Sequence, residues 1–348
     1  MAPPPPPVVH LRQVRRRFAD VDALAGLDLD VPANSITVLL GPNGAGKTTA
    51  IRMITGALDP HAGLVRTFGL DPGRQGEQVR RRCGVVSAKP ALYDRLDGRA
   101  NLAYAAELYG LGRGGEVDAR IEDAAGRFGI DHALDLRVGG YSTGMKTRLA
   151  LARSILHRPD LLLFDEPTSG LDPESSHAVL EMIREMTDDH RTVVMCTHLL
   201  GEAEGLADQV VVMEAGVSLI AGAPDELTRR YWPDPVVVLA AEEPATLRAA
   251  EDLPGVLQVE PGADPSEVRV HLATEDGVAD LVHGLVARNV RLTRVEPVRA
   301  SLEDLYFAVR REGARPSGPA HPTQPEVVPV PAPPVAAVGA PEDAVVAR

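Results

Sequence analysis

Long apolar runs are missing from this chain. The longest, such as residues 236–241, have the length of a strand, whereas a membrane-spanning helix needs roughly 18 consecutive apolar residues or more. The chain is therefore not expected to cross a bilayer by a helix. Residues 1–7 are Met-Ala and five prolines, without the basic, apolar and cleavage segments of a secretory leader, so export is not expected. Only two cysteines occur, Cys83 and Cys196, far apart in sequence, which excludes a disulfide framework and suits a reducing compartment. Positive charge is in deficit as well. A net charge of −13 and a pI near 5.3 give no basic face to neutralise phosphates, so no nucleic-acid partner is expected. Arg15, Arg16 and Arg17, and again Arg80, Arg81 and Arg82, read as solvated ends of a strand and a helix. Lysine is scarce: of 36 basic residues only three are lysines, Lys47, Lys89 and Lys146. Where arginine is the default cation, each remaining lysine marks a position worth explaining.

At 348 residues and 44% hydrophobic content the chain can hold one large domain and a small one. Residues 8–14 read as a strand, and residues 36–40 as a second that runs into a glycine-rich loop and a helix from 47 to about 57. Further short, continuous apolar runs at 161–164, 193–196 and 210–213, with helical stretches between them, have the character of buried parallel strands. The expected architecture is an α/β domain over residues 8–230. Past the break at residues 231–235 a second pattern begins: strand 236–241, helix 244–252, strands 256–260 and 267–272, helix 275–288, strand 290–296. That order is the α+β ferredoxin-like arrangement, and a helix capped by Ser301, with Asp304 at its third position, closes a small domain spanning 231–312. The proline-rich residues 1–7 and the Pro/Ala/Val-rich residues 313–348 are expected to be disordered.

Four segments carry chemistry. The first, Gly41-Pro42-Asn43-Gly44-Ala45-Gly46-Lys47-Thr48-Thr49, fits GxxxxGK(S/T) between a predicted strand and a predicted helix. Glycines let successive backbone N–H groups point into one concavity, and the helix N-terminus adds partial positive charge, so phosphates bind there. Lys47 would reach the β- and γ-phosphates of ATP and the Thr48 hydroxyl would ligate Mg²⁺. The second, Leu161 to Phe164 followed by Asp165 and Glu166, puts two carboxylates at the C-terminal edge of a buried strand, where an open sheet leaves its crevice. Asp165 is suited to Mg²⁺, and Glu166 to orienting and deprotonating a water. The third is Tyr141-Ser142-Thr143-Gly144-Met145, with Ser142 as a helix N-cap. The fourth is Thr197-His198.

In this order and spacing the segments resemble the nucleotide-binding subunit of an ATP-binding cassette (ABC) transporter. The resemblance covers residues 8 to about 230. It implies that Ser142 and Gly144, at positions of a signature usually written LSGGQ, contact the γ-phosphate held by a second subunit, as in a homodimer. Thr143 and Met145 depart from the usual Gly and Gln. It further implies that Ser169-Gly170-Leu171-Asp172 is the loop crossing the dimer, that His198 is a switch histidine beside the γ-phosphate, and that Phe18 stacks on adenine. A separate membrane permease is the implied partner, which would hold the protein at the cytoplasmic face of the cell membrane. Residues 301–307, Ser-Leu-Glu-Asp-Leu-Tyr-Phe, resemble the small domain of drug-exporter-type ABC ATPases, including daunorubicin-resistance-type subunits, and imply export of a hydrophobic compound or lipid. The alternative is a non-transport ABC-type ATP switch. A single glycine loop and the short span from residue 50 to 140 argue against the translation-type and chromosome-type members. One departure stands out: the glutamine that the family places in the segment Cys83 to Tyr93 is Ala88, beside Lys89. Residues 236–311 carry no nucleotide motif, so their removal is expected to leave nucleotide affinity intact.

Overall fold

The computed structural model describes residues 6–313 except 189, 263 and 275. The disorder expected of residues 1–5 and 314–348 concerns residues outside those described. The chain opens with β1 (Val9–Phe18), β2 (Val21–Val31) and β3 (Ile36–Leu40), which leads through the glycine loop into α1 (Lys47–Ile54). Next come β4 (Ala62–Thr67), α2 (Pro72–Arg80) and β5 (Cys83–Val86), then three helices, α3 (Gly98–Leu108), α4 (Gly115–Arg127) and α5 (Thr143–Ile155). The larger body ends with β6 (Leu161–Asp165), α6 (Pro173–Asp188), β7 (Thr192–Thr197), the short α7 (Leu200–Ala203), β8 (Gln209–Glu214), β9 (Val217–Gly222) and α8 (Pro224–Tyr231).

A six-stranded sheet runs β5-β6-β7-β3-β8-β9, parallel except for the antiparallel edge strand β9. Every residue of β3, β6 and β7 is buried, as continuous apolar strands covered on both faces must be. One face packs on α1 and on a second sheet, β2-β1-β4, which is antiparallel. The other packs on α3, α4, α5 and α6. This antiparallel sheet was not anticipated. Its strands are half-wet: Leu27, Leu29 and Val31 are buried while β1 exposes Arg15 and Arg17, so none shows the continuous apolar run of the central sheet. α1 stops at Ile54, short of the expected 57, where Gly56 takes a positive φ of 65°.

The smaller body comprises β10 (Val236–Ala241), a 3₁₀ segment (Pro244–Ala250), β11 (Val256–Pro261), β12 (Glu267–Leu272), α9 (Gly277–Ala287) and β13 (Leu292–Val298). Its antiparallel sheet has the order β11-β12-β10-β13, the ferredoxin-like order. The first helix, expected over 244–252, is a 3₁₀ segment, Pro244–Ala250, that buries Leu247 and Ala250. The closing helix α10 (Leu302–Gly313) is capped as expected: Ser301 Oγ accepts from Asp304 N at 3.1 Å and Ser301 N donates to the Asp304 carboxylate at 2.9 Å. It does not finish the small sheet. Leu302, Leu305, Tyr306 and Val309 are buried in the core of the larger body, with Ile220 of β9 and Leu227 of α8.

Candidate functional site

The phosphate-type loop hangs from β3, the strand held between β7 and β8. Gly46 ends it with φ 103°, where a Cβ would stand 2.6 Å from the Ala23 carbonyl oxygen. Only glycine fits that conformation and that gap. No side chain caps α1 and no acidic residue lies in its first turn, so the N–H groups of this end remain available to an anion. Lys47 is 6% exposed; its Nζ donates to the carbonyls of Gly41 (2.6 Å) and Pro42 (3.2 Å) and stands 3.8 Å from Glu166 Oε1. Asn43, Gly44 and Thr48 are exposed, Ala45 is buried and Thr49 is half-buried.

Asp165, the last residue of β6, accepts from Thr48 Oγ1 at 2.7 Å. Burial pushes its carboxyl above the usual range, and the Thr48 hydrogen bond opposes that shift. Glu166 follows at φ 52°, outside the region favoured by a side-chain-bearing residue, and its N–H donates to the Cys196 carbonyl at 2.9 Å. That turn swings the carboxylate toward β7: His198 Nδ1 lies 3.0 Å from Glu166 Oε2. Lys47, Thr48, Asp165, Glu166 and His198 thus form one connected set. The His198 turn has a brace that the sequence reading missed. Thr197 Oγ1 donates to Glu202 Oε2 at 2.8 Å and accepts from Leu199 N at 3.0 Å, and the Thr-x₄-Glu spacing was the signal available.

Ser142, Gly144 and Asp172 lie elsewhere. Ser142 Oγ accepts from Met145 N at 3.2 Å and caps α5, and a Cβ on Gly144 would meet Ser175 Oγ at 3.7 Å and Leu171 at 3.9 Å. Asp172 accepts from Ser175 N (2.9 Å) and Oγ (2.7 Å), bonds that hold its carboxyl below the usual range. No side-chain hydrogen bond or ion pair joins this second set to the first among the described residues. Phe18 stands apart from both, 42% exposed at the end of β1 with the Arg16 guanidinium 5.0 Å from its ring centroid.

Ala88 and Lys89 are exposed after β5. Downstream, the loop is fastened to the helices: Asn101 brackets Tyr93, accepting from its N at 2.8 Å and donating to its O at 3.1 Å. Arg153 of α5 donates to the Ala91 carbonyl, and Lys146 Nζ bonds Asp94 Oδ1 at 2.8 Å. Two of the three lysines, Lys47 and Lys146, therefore have defined partners.

Comparison with known proteins agrees with this geometry. The ABC transporter family model matches residues 24–169. Daunorubicin resistance ATP-binding protein DrrA2 of Streptomyces coeruleorubidus is 36% identical over 304 residues, covering 86% of this chain and 94% of the relative. The chain belongs to the ABC transporter ATP-binding family. Another ABC relative, NatA of Bacillus subtilis (strain 168), is 39% identical over 225 residues, 63% of this chain and 91% of its own. Among solved structures, an ATP-binding subunit of an ABC transporter superposes with a TM-score of 0.59 at 28% identity, over 65% of this chain and 93% of that one. As a member of the ABC family the protein is an ATP-binding ATPase. ABC ATP-binding subunits in general dimerise and pair with a membrane permease, and no helix among the described residues is long and apolar enough to cross a membrane.

Proposed function

We propose that this ABC ATPase is a homodimeric subunit powering a separate permease that exports a hydrophobic drug-like compound or lipid, from the cytoplasmic face of the cell membrane. The observation that carries the reading is the division of the site into two sets of residues. One set, residues 41–49 with Asp165, Glu166 and His198, has a phosphate cradle, a carboxylate and a histidine in contact; the other, Ser142, Gly144 and Asp172, shares no side-chain hydrogen bond or ion pair with it among the described residues. A second copy placed head to tail would bring each cradle against the other's signature. The exporter assignment rests on daunorubicin resistance proteins and Nod factor export ATP-binding protein I of Burkholderia lata among the relatives.

Within the cradle, Lys47 would neutralise the β- and γ-phosphates, and Phe18 would close over the base. Thr48 Oγ1 and Asp165 Oδ2, two hard oxygen donors 2.7 Å apart, suit Mg²⁺, which takes few protein ligands and completes its shell with phosphate and water. That ion would supply charge neutralisation on the phosphates. Glu166 would accept a proton from the attacking water, with His198 at Oε2 holding the carboxylate in place.

The test is Glu166→Gln, which keeps the shape and removes the base. ATP hydrolysis should fall by about 10² or more while ATP still binds, and Mg-ATP should shift the variant to a dimer in size-exclusion chromatography. A variant that stays monomeric and hydrolyses ATP at the parental rate would sink the reading. Co-purification of the intact chain with a multi-span membrane protein tests the permease.

A further inference from the structure

The closing helix reaches the phosphate loop through one charged contact. Arg310 of α10 donates to Glu214 Oε1 from Nε at 3.0 Å and from Nη2 at 2.6 Å. Glu214 is the last residue of β8. Between it and β9 lie only Ala215 and Gly216, with φ of 48° and 77°, the pair of left-handed residues that a tight hairpin turn requires. This turn is packed under the site. Gly216 N donates to the Ala45 carbonyl at 3.1 Å, and Gly216 O accepts from Ala25 N at 2.9 Å. On the other flank of Glu214, the Met213 carbonyl oxygen would stand 2.3 Å from a Cβ placed on Gly41. The first and fifth residues of the phosphate loop therefore rest on Met213 and Gly216, one residue before and two residues after Glu214. The same helix also packs on α7, which begins two residues after His198.

We propose that Arg310 and Glu214 are positioning residues for nucleotide: their ion pair fixes the β8–β9 turn against Gly41 and Ala45, and so sets ATP affinity from the C-terminal end of the chain. The inference rests on the reading of residues 41–49 as the phosphate cradle. It also revises the expectation that residues 236–311 have no bearing on affinity. The small sheet holds no nucleotide group, but the chain that leaves it supplies the brace. Movement of that body, by a partner or a second copy, would reach ATP through α10.

The test uses the full-length protein, with dissociation constants from a fluorescent ATP analogue, steady-state KM and kcat, and melting temperatures. Glu214→Gln and Arg310→Gln should each weaken nucleotide binding and raise KM about fivefold, the scale of a half-exposed arginine–carboxylate pair, with kcat kept within about twofold. The exchange of charges, Glu214→Arg with Arg310→Glu, should recover most of the affinity that either single reversal loses. Unchanged affinity in both single variants overturns the proposal, as does a fall in melting temperature with affinity preserved, which would make the pair a structural brace alone. Lys47→Ala separates the two readings. If it binds like the parent, the phosphate-cradle assignment fails; if it loses binding while the Glu214 and Arg310 variants keep theirs, only the present inference fails.

Discussion

Replacing Gly46 by alanine adds one methyl group and incurs two separate costs. The first is conformational: at φ 103° and ψ 1° a side-chain-bearing residue is strained by about 1–2 kcal/mol. The second is steric. The new Cβ would lie 2.6 Å from the Ala23 carbonyl oxygen and 2.8 Å from Leu24 Cδ2, and Ala23 cannot retreat freely because β2 is tied to the β8–β9 turn by the Ala25–Gly216 hydrogen bond. Overpacking of this kind costs about 1–3 kcal/mol. Together the two come to about 3 kcal/mol, which in a body of this size lowers the melting temperature by about 6–12 °C. Gly44 provides the control, since it also has a positive φ, 85°, but a Cβ there meets nothing within 4 Å. Gly44→Ala should incur the conformational cost alone, a loss of about 2–4 °C per kcal/mol. Calorimetric melts of the nucleotide-free variants, with ATP affinity measured alongside, decide the point. Equal melting temperatures for the two variants, or parental ATP affinity in Gly46→Ala, would refute the close approach of β2 as the reason for glycine.

Ser142→Ala removes the acceptor for Met145 N and should cost about 1 kcal/mol of stability; it should lower hydrolysis far more than that, while ATP affinity of the monomer stays at the parental value. Ala88→Gln restores at an exposed position the amide that the family carries, and should raise steady-state hydrolysis; no gain would mean that the alanine costs the enzyme nothing. His157 stacks on Tyr109 with ring centroids 3.6 Å apart, and burial holds its pKa below the ordinary value, opposed by its hydrogen bond to the Cys83 carbonyl. Below pH ~6.5 the unfolded chain binds a proton that the folded histidine refuses, so stability should fall as pH drops through that value. His157→Phe keeps a ring against Tyr109 and should flatten this part of the curve. Parallel melting-temperature profiles for parent and variant between pH 7.5 and 5, about the span in which histidine titrates, would refute the assignment.

The connected site residues were legible because each sits within a few residues of a punctuating feature: Lys47 and Thr48 after the glycines, Asp165 and Glu166 after an apolar strand, His198 at the end of another. Four strands of the central sheet were legible for the same reason, since burial on both faces leaves continuous runs in β3, β6, β7 and β8; the edge strands β5 and β9, with a glycine in the one and half-buried residues in the other, were not read. β2 and β4 were not, because exposed and polar residues interrupt both: β2 alternates leucine with aspartate, and β4 is exposed over its first three residues. β1 was read as a strand only as far as residue 14, because the register shifts between Val14 and Arg15 and between Arg16 and Arg17 and the exposed arginines interrupt the alternation of its second half. Thr197 and Glu202 lie five residues apart across a turn, so their spacing was the one available signal and no helix or strand period singles it out. The contact between Arg310 and Glu214 spans 96 residues, and an apolar stripe on α10 announces burial without saying against which body.

That stripe makes the larger core discontinuous in sequence. Leu302, Leu305, Tyr306 and Val309 fill space beside Ile220 and Leu227, yet the whole small sheet is synthesised between them. At about 5–20 residues per second on the ribosome, the seat of α10 stays open for roughly 4–16 s after Tyr231 emerges. During that interval the larger body presents uncovered apolar surface, and the small sheet, folding in the meantime, draws the two ends of its own insertion together. A premature stop in the second body would therefore leave the first body unfinished, and such a product is expected to be a substrate for chaperones and proteases rather than a smaller working ATPase.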